Sequence, residues 1–207
     1  MLIETGGTTP GALRAAVARI RAQGTPVRVT LREPDDDALV PIVRELGLVP
    51  RPWAPGMLLR PIPPDGPSPA PDLDIRPVTD PAGLEDFIRA MGPSYGLSVA
   101  ATRIVVAPGL LDRPDVRLVA GRVDGEPVAV GMGIRTGPVV GVYFIGTVPS
   151  ARRRGYGEAI TVRVVSDAAA LGCDTAVLQA SPSGLGVYQR LGYRAVTTYM
   201  GWVPPAA

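Results

Sequence analysis

The segment at residues 145–158, IGTVPSARRRGYGE, constrains the fold more than any other part of the chain. The apolar run that feeds it, residues 139–148, has the length and composition of a buried strand. The stretch that leaves it, residues 155–171, places Ile160, Val164, Ala168 and Leu171 on one face, as an amphipathic helix does. A strand passed into a helix through a short glycine-rich turn is a joint of a layered α/β structure.

The flanking patterns extend that joint. Residues 73–78 read as a strand, and Asp80-Pro81 opens a helix with Phe87, Ile88 and Met91 on its apolar side. A short helical piece is expected near residues 97–106. Strands at 116–123 and 127–134 flank Asp124-Gly125, a strong two-residue hairpin signal. After the helix at 155–171 come a strand at 175–180, a helix at 184–191 and a last strand at 193–203. The order β-α-α-β-β-β-α-β-α-β predicts an α/β (α+β) layer with mixed strands.

Upstream, residues 61–72 (PIPPDGPSPAPD) form a proline-rich spacer of extended habit. It divides the chain into a small segment, 1–60, and a larger domain, 73–207. In the small segment Thr9-Pro10 opens a helix bearing Leu13, Val17 and Ile20, and residues 27–31 read as a strand. A second helix carrying Leu39, Ile42, Val43 and Leu46 follows the acidic run Asp35-Asp36-Asp37, which suits the positive end of a helix better than a cation site. The segment also repeats part of the larger domain at an offset of 145: Leu46-Gly47 corresponds to Leu191-Gly192. Residues 1–60 therefore read as a degenerate, non-catalytic half-copy, whose stripes need covering by the larger domain or by a second subunit in a homodimer.

Composition removes several chemistries. All 21 basic residues are arginine, and there is no histidine and a single cysteine, Cys173. Histidine bases, Cys/His metal sites and disulfide frameworks are excluded. Cys173 reads as a small buried thiol. The longest apolar run has ten residues, too short to span a bilayer, and residues 1–7 lack a secretory pattern, so a cytoplasmic location is expected. The net charge of +2 is too small to argue for nucleic acid, and no aromatic residues interleave a wider basic stripe.

What remains is the chemistry of residues 145–158. Gly155 and Gly157 let backbone N–H groups approach a ligand, a helix N-terminus adds free donors, and Arg152, Arg153 and Arg154 add positive charge. The combination suits a pyrophosphate. Gly146, inside the preceding strand, marks an expected bulge that frees donors for a second part of the ligand.

Val148-Pro149 followed by Arg152-x-x-Gly155-x-Gly157 after a strand resembles the acetyl-coenzyme A signature of the GNAT acetyltransferase superfamily. So does the later segment from Leu178 through Ser181 and Tyr188 to Leu191-Gly192-Tyr193. The similarity covers about residues 73–204. It implies a mixed, mostly antiparallel central sheet flanked by helices, with acetyl-CoA as acyl donor, an amine as acceptor and no metal. It also implies that backbone groups of Ile145, Gly146, Thr147 and Val148 hold the pantetheine and the acetyl carbonyl. Arg152, Arg153, Arg154, Gly155, Tyr156, Gly157 and Glu158 would wrap the pyrophosphate, mostly through main-chain amides.

Tyr188 matches the tyrosine that lies near the thioester sulfur and protonates the departing thiolate. Ser181 stands where the family usually has asparagine, and Tyr193 replaces a common phenylalanine. Family members often use a glutamate on the strand matching residues 139–148, but this strand carries no carboxylate, so the base is unassigned. Met91, Tyr95 and Tyr143 are candidates for the acceptor pocket wall, and Met200 and Trp202 for core or pocket wall. The resulting reading is an acetyl-CoA-dependent N-acyltransferase acting by direct amine attack. The alternative is a non-catalytic CoA-binding or regulatory module.

Overall fold

The computed structural model describes residues 2–4, 8–63 and 70–205, so half of the proline-rich spacer, residues 64–69, lies outside the described residues. In chain order the elements are β1 (Leu2–Glu4), α1 (Pro10–Ala22), β2 (Arg28–Glu33), α2 (Val40–Glu45), β3 (Val49–Leu59) and β4 (Asp74–Pro77). They continue with α3 (Pro81–Tyr95), α4 (Val99–Val105), β5 (Val116–Val123), β6 (Glu126–Thr136) and β7 (Val139–Thr147). The chain then forms α5 (Tyr156–Ala169), β8 (Thr175–Gln179), α6 (Leu185–Arg190) and β9 (Arg194–Val203). From β4 onward this is the expected order.

The chain forms two compact units that do not follow the linear division at the spacer. One comprises residues 1–57, 179–186 and 194–207, the other 58–178 and 187–193. The reason lies in strand pairing: β9 runs antiparallel to β2, with Val29 opposite Trp202 and Glu33 opposite Thr198.

In the first unit the strand order is β1-β2-β9-β3, with β1 parallel to β2. Helix α1 starts where Thr9 Oγ1 accepts from the Ala12 N–H at 3.2 Å, with Pro10 as the first helical residue. Its buried face, Leu13, Val17 and Ile20, packs with Val29, Leu31, Val43 and Trp202 in one core cluster. Each side chain so buried contributes roughly 1.5–3 kcal/mol. The acidic run caps no helix by side chain: the Asp36 carboxylate accepts from the Arg32 N–H at 2.8 Å, and Asp35 pairs with Arg32 at 2.9 Å. These acids close the turn after β2.

In the second unit the order is β4-β5-β6-β7-β8, antiparallel from β4 to β7 and parallel between β7 and β8. The β5–β6 hairpin turns on Asp124 (φ +50°) and Gly125 (φ +83°), two successive left-handed residues. Val130 and Met132 of β6 belong to the cluster that α3 fills with Leu84, Phe87, Ile88 and Met91. Gly131, between them, points to the opposite face, where a Cβ would overlap Ile160 of α5. The sheet is thus covered by α3 on one side and α5 on the other.

Two helix ends are built alike, 145 positions apart. After α2 the N–H groups of Leu46, Gly47 and Leu48 bond to the carbonyls of Ile42, Arg44 and Val43. After α6 those of Leu191, Gly192 and Tyr193 bond to Val187, Gln189 and Tyr188. Both glycines are left-handed, at φ +72° and +88°.

Candidate active site

Strand β7 pairs with β8 only over Val139, Val140 and Gly141 among the described residues. Beyond that point one edge of β7 has no described strand beside it, and the bulge lies there. Thr147 faces Ala129, Gly146 faces Val130 and Tyr143 faces Met132, which leaves Phe144 and Ile145 together opposite Gly131. Phe144 takes the left-handed conformation, φ +51°. The bulge expected at Gly146 is therefore displaced to the two preceding residues. Gly146 serves close packing instead. A Cβ there would lie 2.8 Å from Ser94 Cβ, so its bareness lets the end of α3 press against β7.

The Val148 N–H is spent on Val128 C=O, on the β6 side, at 2.9 Å. Alternation then turns the polar groups of Thr147 toward the open edge. The Tyr95 hydroxyl donates to Ile145 C=O at 3.0 Å, and Arg152 Nε donates to Thr147 C=O at 3.1 Å. The Ile145 and Thr147 carbonyls thus point away from β6 and are met by side chains from the end of α3 and from the loop after β7.

Past β7 the chain makes a 3-10 turn at Pro149–Ala151 and then visits the left-handed region at Arg153 (φ +68°) and Gly155 (φ +81°). Helix α5 begins at Tyr156 with no side-chain cap, and its first helical bond runs from Ala159 N–H to Gly155 C=O at 3.0 Å. The N–H groups of Tyr156, Gly157 and Glu158 are the free donors of the first turn. They carry the positive end of a 14-residue helix. Arg153 and Arg154 are exposed and form no ion pair among the described residues. Free amides, a left-handed glycine and two unengaged guanidiniums fit a pyrophosphate.

Three expected pyrophosphate residues have side chains committed elsewhere. Arg152 bonds to Thr147 C=O and, at 3.0 Å, to Ser94 C=O. The Tyr156 ring is 2% exposed and its hydroxyl donates to the Asp72 carboxylate at 2.6 Å. Glu158 accepts from Arg190 at 2.8 Å. Tyr156 and Glu158 can face a ligand only through their backbone. Ser181 belongs to the other compact unit, where its hydroxyl accepts from the Gly184 N–H at 3.2 Å and helps form the turn into α6.

Tyr188 sits on α6, 9% exposed, and burial pushes its phenol up to about 12. Tyr95 and Tyr193 are raised too, first by burial and then by the nearby Tyr188 phenol, so three phenols gather in the second unit. All three are protonated at neutral pH and so are not bases there.

The pocket-wall candidates separate cleanly. Met91 is fully buried in the α3 core, whereas Tyr95 and Tyr143 are about half exposed. Trp202 lies in the first unit's core, with Met200 packed against the same cluster. Cys173 is buried and its thiol is raised, chiefly by burial, as befits an inert core residue. The described residues contain no group of three or more His, Cys, Asp or Glu side chains that could hold a metal. No helix among them is long and apolar enough to cross a membrane. The bonds from Tyr95 and Arg152 to the edge of β7 have no mark in the sequence, because their partners are main-chain carbonyls set by tertiary packing.

The family model described as "Acetyltransferase (GNAT) domain" matches residues 70–181, more than half of the 207-residue chain. No curated protein matches the chain. Among solved structures, a GCN5-related N-acetyltransferase from Kribbella flavida superposes with TM-score 0.73 at 22% identity, covering 100% of this chain and 79% of its own. A GCN5-related N-acetyltransferase from Sphaerobacter thermophilus gives 0.69 at 16%, covering 98% and 71%. An aminoglycoside N-acetyltransferase in complex with CoA gives 0.52 at 20%, covering 60% and 89%. These likenesses carry the fold. Acetyl-CoA is the acyl donor of the matched family. With the signature at residues 148–157 inside the matched region, the chain belongs to the GNAT acetyltransferase family.

Proposed function

We propose that the protein transfers the acetyl group of acetyl-CoA to an amine of a small molecule or protein by direct attack. The observation that carries this reading is the joint itself: a bulged, open strand edge leads through left-handed Arg153 and Gly155 into an uncapped helix N-terminus. The free amides of residues 156–158, with Arg153 and Arg154, hold the pyrophosphate, while the backbone of residues 145–148 lies along the pantetheine and the acetyl carbonyl.

The amine nitrogen attacks the thioester carbonyl carbon, so a C–N bond forms and the C–S bond breaks. Backbone N–H groups on the open edge of β7 face the carbonyl oxygen as it gains charge. The Tyr188 hydroxyl, protonated at neutral pH, donates to the departing sulfur. With no histidine or lysine in the chain and no carboxylate on β7, the amine's proton leaves to water. Alignment of the two substrates is then the main catalytic contribution.

Residues 1–60 we read as a non-catalytic half-copy. The order β1-α1-β2-α2-β3 repeats that of β7-α5-β8-α6-β9, and the two alike helix ends support the correspondence. Val43 stands at the position of Tyr188 and has no proton to give.

The test is CoA thiol release from acetyl-CoA with and without a panel of amines. Acceptor-dependent release supports the transferase. Tight CoA binding with no release for any amine favours a regulatory CoA-binding module.

A further inference from the structure

We propose that Arg152 is a positioning residue that fastens the C-terminal end of α3 to the open edge of β7, and that its guanidinium is not a phosphate ligand. The assignment of the two sides, cofactor loop and acceptor wall, rests on the acetyltransfer reading above.

Helix α3 needs help at its end. Its last carbonyls have no partners within the helix, and its last turn carries no basic residue to complement their negative charge. Left-handed Gly96 ends the helix, with the N–H groups of Gly96 and Leu97 both turned back to Gly92 C=O. Ser94 C=O is instead met from 58 residues downstream by Arg152 Nη2 at 3.0 Å. The same guanidinium donates through Nε to Thr147 C=O at 3.1 Å. One planar cation bridges a helix end and a strand edge, a geometry that the forked donors of arginine suit and the single ammonium of lysine does not.

The bridge is one of three adjacent contacts. Along β7, Ile145 C=O takes the Tyr95 hydroxyl, Gly146 admits Ser94 at close range, and Thr147 C=O takes Arg152. Tyr95 also meets Phe144 edge-on, with centroids 6.1 Å apart. The end of α3 is therefore fixed against the strand positions read as holding the acetyl group. Arg153 and Arg154, which lack such partners, are left for the phosphates. Arg152 couples the order of the cofactor loop to the placement of Tyr95 on the acceptor side.

The experiment compares Arg152→Ala and Arg152→Lys with the wild-type chain in three measurements. These are amide hydrogen exchange at Gly96 and Leu97 without ligand, CoA affinity by calorimetry, and kcat and KM for an amine found in the panel. For Arg152→Ala the expected result is exchange faster by about tenfold at those two amides, CoA affinity within about threefold, and kcat/KM for the amine lower by about tenfold. Arg152→Lys should recover part of the loss. A tenfold weaker CoA affinity with unchanged exchange would overturn the proposal and make Arg152 a phosphate ligand. Unchanged exchange together with unchanged kinetics would overturn it as well. Should the alanine variant fail to fold, the lysine variant is read by the same criteria. Should the wild-type chain acetylate no amine, the acetyltransfer reading falls, and the exchange measurement still decides whether Arg152 holds the end of α3.

Discussion

The rings of Tyr188 and Tyr193 meet edge to face, centroids 5.8 Å apart and planes at 65°. Both phenols are largely buried, yet their surroundings differ. The Tyr193 oxygen is fully enclosed and has no hydrogen-bond partner among the described residues, whereas Tyr188 is proposed to work on the leaving group. The pair gives two opposite predictions for the same change of one atom.

Tyr188→Phe should lower turnover by about 10²–10⁴-fold, the usual loss for a general acid, and leave CoA affinity nearly unchanged. Single-turnover acetylation and calorimetry on the same variant check this. Undiminished turnover on a good acceptor would return Tyr188 to a packing role.

Tyr193→Phe should keep activity and leave stability unchanged or raise it by up to about 1 kcal/mol, because a buried hydroxyl without a partner has lost its hydration for nothing in return. Urea unfolding decides it. A loss beyond about 1 kcal/mol would mean that the hydroxyl is satisfied in the folded chain.

Stability should also fall at alkaline pH. Burial raises Tyr188 from an ordinary 10 to about 12, so the folded state holds a proton that the unfolded state gives up. The contribution is complete below pH 10 and is lost as pH rises through 12, amounting to about 2–3 kcal/mol. Tyr95 and Tyr193, raised likewise by burial, add to the same decline, so the comparison with Tyr188→Phe isolates the share of Tyr188. Unfolding midpoints at pH 8, 10 and 11 should decline, and less steeply for Tyr188→Phe. A flat profile common to both proteins would contradict the assignment.

Gly155→Glu should abolish the thermal shift produced by acetyl-CoA. The position is left-handed, at φ +81°, costing roughly 1–2 kcal/mol for a residue with a Cβ, and a carboxylate would occupy the phosphate end of the helix. Wild-type protein at 100 times the dissociation constant gains about 2.7 kcal/mol. A normal shift in the variant would show that the loop binds something else.

Removing residues 1–60 should leave an insoluble or strongly destabilised remainder. Trp202, 3% exposed, would lose the cluster formed by Leu13, Val17 and Ile20, and β9 would lose β2. Size-exclusion chromatography and calorimetry of the truncated chain test this. A monomeric remainder of full stability would refute it.

Features set by local chemistry were legible in the sequence. Thr9 and Asp80 cap their helices, and Asp124-Gly125 turns the hairpin, because each acts within three residues of itself. Strand β1, three residues long, is too short to show a period. The bulge was displaced from Gly146 because Phe144, a residue with no left-handed preference, is held there by packing. The partnership of β9 with β2 left no trace, since a strand's alternation says which face is buried and not which neighbour it joins. In the site, the glycine loop was readable and the destination of Arg152 was not, because a carbonyl acceptor has no residue type.

The pairing of β2 with β9 also sets a schedule for the nascent chain. Val29 and its partner Trp202 are 173 positions apart. At about 5–20 residues per second, β2 waits roughly 9–35 s for β9 to be made. During that interval residues 58–178 emerge, while α1 has Val29, Leu31 and Val43 to pack against but not yet Trp202 or Met200. The first unit is thus begun early and completed only when β9 brings Trp202 to its core.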